Sequence, residues 1–126
     1  FFMPRTVLVV EDTDICRDAL EVALMRVPGV NIQVVATAEE ALRQLKTSEV
    51  CALLTDLHLP SMDGFELIEA VRSNPQHSLL PIVVISGDSD PRTPARLADL
   101  GANAYFPKPY SPAEVRAILE QLINAS

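Results

Sequence analysis

Val7-Leu8-Val9-Val10-Glu11-Asp12 is a run of four apolar residues that stops on two carboxylates, and its form returns twice further along the chain. Val50-Cys51-Ala52-Leu53-Leu54-Thr55 stops on Asp56, and Ala104-Tyr105-Phe106-Pro107 stops on Lys108. Short runs rich in Val, Ile and Leu, separated by helix-period segments, read as parallel strands covered on both faces. Ligands of such sheets gather outside the carboxyl ends of the strands. The three runs therefore deliver an acidic pair, a lone aspartate and a lysine to one rim.

Between these runs the apolar spacing changes to that of helices. Cys16, Ala19, Leu20, Ala23, Leu24 and Val27 form one buried stripe at the i, i+3, i+4, i+7 period, ended by Pro28-Gly29. A strand over residues 31–36 follows. Thr37-Ala38-Glu39-Glu40 has the capping-box form and opens a helix that buries Ala41, Leu42 and Leu45. After the third strand, residues 50–56, the turn Pro60-Ser61-Met62-Asp63-Gly64 leads into a helix with Phe65, Ile68 and Val71 facing inward, and Asp63-Gly64 reads as turn chemistry. Pro81 introduces a fourth strand, residues 82–86, and a fifth covers residues 104–106. Ser111-Pro112-Ala113-Glu114 combines an N-cap, a first-turn proline and a glutamate three residues on, opening a last helix that turns Val115, Ile118, Leu119 and Leu122 inward.

Five βα alternations in 126 residues fit a single α/β domain, predicted over residues 4–125. The expected fold is the flavodoxin-like, doubly wound (βα)5 three-layer sandwich, with a five-stranded parallel sheet of order 2-1-3-4-5. Its switch point lies between strands 1 and 3, so Glu11, Asp12 and Asp56 are expected in one crevice. A formal net charge of −7 argues against direct nucleic-acid binding, which needs a clustered positive footprint. No apolar stretch reaches the roughly 18 to 20 residues that span a bilayer and no leader pattern opens the chain, which gives a cytoplasmic expectation and no membrane partner. Phe1-Phe2 ahead of Met3 reads as a non-native remnant, with Met3 as the native start. Cys16 and Cys51 lack metal-ligand spacing and read as small buried hydrophobes.

Three carboxylates sharing a low-dielectric crevice repel one another and push at least one pKa upward unless a cation joins them. Oxygen ligands without thiolate or clustered imidazole favour Mg2+ or Mn2+, and Mg2+ keeps several waters that a phosphate oxygen can replace. Lys108 supplies a second positive charge.

Taken in order, Glu11-Asp12, Asp56 followed by Leu59-Pro60 and Met62-Asp63-Gly64, Ser86-Gly87, and Lys108-Pro109 resemble the motif set of the response-regulator receiver domain of two-component signalling, over nearly the whole chain. The resemblance implies that Asp56 accepts a phosphoryl group from the phosphohistidine of a sensor histidine kinase or phosphotransfer protein. It makes Asp12 a direct metal ligand beside Asp56, has Glu11 act through metal-bound water, and adds the His58 backbone carbonyl to the coordination. Lys108 then offsets charge on the transferred oxygens. Such a domain catalyses only its own phosphorylation and dephosphorylation and is otherwise no enzyme. Switching would begin with the Ser86 hydroxyl moving onto a phosphoryl oxygen, opening space for Tyr105 to turn into, and would be read by a downstream output domain or protein; pairing of two copies on phosphorylation stays open. The resemblance also implies a cis Lys108-Pro109 bond, and that side chains at His58 and Asp88 tune the acyl phosphate's lifetime.

One departure stands out. Pro91 and Pro94 fall where the family begins its fourth helix, so that helix is expected late and short, over residues 93–100. Pro107 lacks an amide donor and suits an edge strand, and His77 reads as a surface residue. A metal-dependent phosphohydrolase with Asp56 as nucleophile competes as a reading, although His58 stands where such enzymes carry a second aspartate. A flavin binder needs a phosphate-cradling loop after strand one, where this chain has Glu11-Asp12.

Overall fold

The structure, a computed structural model, describes residues 5–124, apart from the side chains of residues 14–17. The predicted limits at 4 and 125 and the burial of Cys16 thus lie outside the described residues. The chain alternates β1 (Arg5–Val10), α1 (Asp14–Leu24), β2 (Val30–Val35), α2 (Ala38–Thr47), β3 (Val50–Asp56), α3 (Gly64–Ser73), β4 (Ile82–Ser86), α4 (Thr93–Leu100), β5 (Ala104–Pro107) and α5 (Pro112–Asn124), with a short 3-10 turn at Pro75–His77. The strands form one parallel sheet of order β2-β1-β3-β4-β5, the flavodoxin-like α/β topology.

The two-residue period of β1 divides the core. Leu8 and Val10 pack with Leu53, Ile82 and Val84 under α2, α3 and α4, through Ala41, Leu67, Ile68 and Leu97. Val7 and Val9 pack with Ala52, Leu54, Val83 and Ile85 against Leu20 and Leu24 of α1 and Val115 and Leu119 of α5. Continuous apolar strands are therefore what a sheet covered on both faces requires. No helix among the described residues is long and apolar enough to cross a membrane.

Several details differ from the sequence expectation. The first helix ends at Leu24, although Val27 still closes the core beneath it. Leu42, Phe65, Ile118 and Leu122 are only partly buried, while Leu67 and Ile123 are fully buried in their helices. Phe65 keeps one face outside the core and carries the Arg96 guanidinium 3.8 Å from its ring centroid, a cation–π contact joining α3 to α4. Thr37 caps α2 by accepting from the Glu40 amide. The fully reciprocal capping box is at α3, where Asp63 accepts from the Glu66 amide and Glu66 accepts from the Asp63 amide. Asp63 thus does more than turn the chain. The fourth helix spans the expected residues 93–100, because a proline is tolerated only in a helix's first turn.

Gly64 sets how closely α3 approaches the end of β3. A Cβ there would meet the Asp56 carbonyl oxygen at 2.4 Å and Leu57 Cα at 2.7 Å, both backbone atoms that cannot swing away. The Gly64 amide donates to the Leu57 carbonyl at 2.9 Å. Gly64→Ala should therefore cost about 1 to 3 kcal/mol of stability, as overpacking does in well-packed cores. Urea unfolding checks this, and an unchanged midpoint would show that the loop yields freely.

Candidate functional site

Sheet order and register bring the strand ends together. Val10 lies beside Thr55, Asp56 beside Ile85, and Ser86 beside Pro107, so Glu11, Asp56, Ser86 and Lys108 all follow or close the carboxyl ends of adjacent strands. The Lys108 amide donates to the Ser86 carbonyl at 2.8 Å, continuing the ladder one residue past β5. The Lys108-Pro109 bond is cis.

From this anchor the lysine side chain reaches over the end of β4. Its Nζ donates to Asp56 Oδ2 at 2.7 Å and to Glu11 Oε2 at 3.3 Å. Glu11 is 0 % exposed and Asp56 4 % exposed, so both carboxylates have given up most of their hydration. Each also takes one amide donor: Thr13 N on Glu11 Oε1 and His58 N on Asp56 Oδ1, both at 3.1 Å. Burial, reinforced by the Asp56 charge, holds the Glu11 carboxyl above its ordinary value, while the Thr13 amide and Lys108 pull it back down. Two acids and one base therefore share a nearly dry site.

The remaining predicted residues are placed differently. Asp12 follows Glu11 but is exposed, and among the described residues no three His, Cys, Asp or Glu side chains stand close enough together to cage a metal ion. The expected crowd of three carboxylates is thus a pair bridged by an ammonium group. That donor set still suits a hard cation, since Mg2+ is usually held by one or two carboxylates and keeps several waters. The His58 side chain is exposed, and the contact it makes with Asp56 is through its amide. The Ser86 hydroxyl is buried and accepts from the Asp88 amide at 3.1 Å.

Tyr105 is already turned in. Its ring packs against the core beneath α4, and its hydroxyl donates to the Asp88 carbonyl at 3.2 Å. Burial raises its phenol pKa, helped by the charges of Asp88 and Asp56. The sequence reading missed the Thr13 amide and the contacts of Asp88, because backbone donors and loop bonds leave no residue-type signal. It also gave no part to Thr55, which is buried and donates to the Asp56 carbonyl at 2.8 Å.

The response regulator receiver domain family matches residues 7–120. The transcriptional regulatory protein GltR of Pseudomonas aeruginosa is 31% identical over 120 residues, covering 95% of this chain. The two-component response regulator ORR13 of Oryza sativa subsp. japonica is 33% identical over 117 residues, covering 92% of this chain. The chain spans 49% of GltR and 96% of ORR13. Among solved structures, the receiver domain of the sensor histidine kinase PA1611 from Pseudomonas aeruginosa PAO1, with a magnesium ion coordinated in its active-site cleft, superimposes with a TM-score of 0.84. It is 25% identical, and the match covers 97% of this chain and 99% of that one.

Removing Lys108 should expose the cost of the buried acids. Lys108→Met leaves Glu11 and Asp56 without their shared cation, a loss of about 2 kcal/mol, below the roughly 3 to 5 kcal/mol of a fully buried pair because the lysine keeps some water contact. A carboxyl whose folded pKa is raised stabilises the fold fully below its unfolded value, and that contribution is lost as pH rises through the folded one. The deficit should therefore be widest at neutral pH, where Glu11 is ionised, and narrow as pH falls through its raised folded value toward the ordinary carboxylate range. Urea unfolding at both ends of that range measures it, and a deficit that does not change with pH would contradict the assignment.

Proposed function

The chain belongs to the response regulator receiver domain family, and from that premise we propose that Asp56 accepts a phosphoryl group from the phosphohistidine of a partner sensor kinase or phosphotransfer protein. The observation that carries this is the Asp56 carboxylate, buried at the end of the central strand with Oδ2 on Lys108 at 2.7 Å and Oδ1 on the His58 amide at 3.1 Å. A carboxylate held at both oxygens has little freedom left to lose on reaching the in-line geometry of phosphoryl transfer, where catalysis rests on positioning and charge neutralisation.

In the proposed step an Asp56 oxygen forms a new bond to phosphorus while the bond from phosphorus to the donor's histidine nitrogen breaks, the nitrogen keeping the electron pair. Lys108, already beside Asp56, moves its pairing onto the transferred oxygens. The Ser86 hydroxyl still has its own proton and donates it in a hydrogen bond to one of them. Glu11, Asp12 and Asp56, with the His58 carbonyl, would hold Mg2+, with Mn2+ as a substitute. Bound there, the ion supplies further neutralisation of phosphoryl charge. Hydrolysis of the acyl phosphate returns the domain to its starting state, so the domain catalyses only its own modification.

The domain is assigned to residues 4–125 as one receiver unit, with an output domain or protein downstream. No feature supports the phosphohydrolase alternative, since the position two residues beyond Asp56 holds the exposed His58 and not a second aspartate. The flavin reading loses its phosphate site to the buried carboxylate of Glu11.

Intact-mass analysis after incubation with Mg2+ and acetyl phosphate should show a single phosphoryl adduct on the wild type and none on Asp56→Ala. An adduct that persists in the variant would overturn the proposal. In the same assay His58→Asn should change the rate of adduct decay several-fold with the yield intact; a decay curve identical to wild type would remove His58 from the reaction.

A further inference from the structure

The two edges of the sheet are finished differently. β5, four residues long, ends in Pro107, which has no amide, and runs into Lys108 and the cis-linked Pro109. Charge and proline are what keep an edge strand from recruiting another. β2 has neither. Val30–Val35 holds no charged residue, no proline and no glycine, pairs with β1 along its whole length without a bulge, and is the last strand on its side of the sheet. This neutral strand belongs to a chain of formal net charge −7.

The ladder decides which backbone groups are left over. The Arg5 amide donates to the Gly29 carbonyl at 3.3 Å and the Glu11 amide to the Val35 carbonyl at 3.0 Å. In a parallel pair this alternation turns the backbone of Asn31, Gln33 and Val35 toward β1, and that of Val30, Ile32 and Val34 outward. Among the described residues no strand meets those outward amides and carbonyls. The side chains of the same three residues pack partly on the core beneath α1 and α5, while those of Asn31 and Gln33 stand exposed on the other face.

We propose that this edge is an interface with a second copy of the chain, the two β2 strands pairing antiparallel about a two-fold axis between the two copies of Ile32. The occupant follows from the order of residue types, since Val30-Asn31-Ile32-Gln33-Val34 reads nearly the same in both directions. Pairing about Ile32 sets that residue opposite its own copy and Val30 opposite Val34. These are the outward-facing residues, so each facing pair exchanges two hydrogen bonds. Between them Asn31 faces Gln33 at the non-hydrogen-bonded positions, where side chains come closest and two amides can each donate and accept. No like charges meet, and a shift of register in either direction gives up one facing pair. Because the strands within a copy are all parallel, the two carboxyl rims then point in opposite directions, and neither copy's Asp56 lies in the interface. The pairing is therefore independent of the phosphoacceptor reading.

Sedimentation equilibrium in about 0.15 M salt, where repulsion between distant charges is screened, should show monomer and dimer in a concentration-dependent balance. Asn31→Lys with Gln33→Lys sets lysine opposite lysine at exposed positions and should weaken the dimer about tenfold. The same change brings the net charge two units nearer zero, so a dimer formed elsewhere on the surface would be strengthened. Asn31→Lys with Gln33→Glu sets lysine opposite glutamate and should restore the wild-type association. Residue-resolved amide exchange checks the unaltered chain: Val30, Ile32 and Val34 should slow about tenfold once nine chains in ten are paired, with Asn31 and Gln33 slow throughout. A chain that stays monomeric up to about 1 mM, a dimer indifferent to the two lysines, or one weakened equally by both pairs of substitutions overturns the proposal. So do outward amides whose exchange ignores concentration.

Discussion

The Lys108 ammonium group between Glu11 and Asp56 is the contact on which the rest of the site depends. Two buried carboxylates on neighbouring strands would otherwise face each other with little water between them, at an electrostatic cost that low dielectric magnifies. The lysine comes from the end of the edge strand, separated from Asp56 by the whole width of β4, and it reaches across only because its own amide continues the ladder on Ser86. The sheet order is thus a condition for the charge balance, and the charge balance is a condition for burying the Asp56 carboxylate at the end of β3.

Rigidity is distributed unevenly around that cleft. On the α3 side, Gly64 lets the helix press against the Asp56 and Leu57 backbone, and the Asp63–Glu66 capping box fixes where α3 starts. On the α4 side, the loop after Ser86 is tied by single hydrogen bonds through Asp88. A close-packed wall therefore lies beneath Asp56, and a loop tied by single hydrogen bonds lies beside Ser86.

The architecture was legible because the strand runs are continuous and the helices carry their own punctuation. Pro91 and Pro94 even fixed the late start of α4, since proline's missing amide permits few positions. The site was legible as far as residue type carries the chemistry: Glu11, Asp56 and Lys108 meet as the switch-point rule requires. What could not be read depended on side-chain direction and backbone donors. Asp12 is adjacent in sequence yet exposed, Phe65 packs on the core with one face and carries Arg96 on the other, and the Tyr105 hydroxyl is bonded to the Asp88 carbonyl. Asp88 was singled out by the resemblance as a residue beside the phosphoryl pocket, but its hydrogen bonds to Ser86, Asp90, Thr93 and Tyr105 left no signal in the sequence.

The most direct test of this account is a double-mutant cycle between Lys108→Met and Asp56→Asn, read by urea unfolding in the absence of divalent ions. If the ammonium is what makes the buried acids tolerable, the two substitutions together should cost less than their separate costs added, with a coupling of about 1 to 3 kcal/mol. Strict additivity would contradict the account, because it would mean that Lys108 and Asp56 stand close without depending on each other.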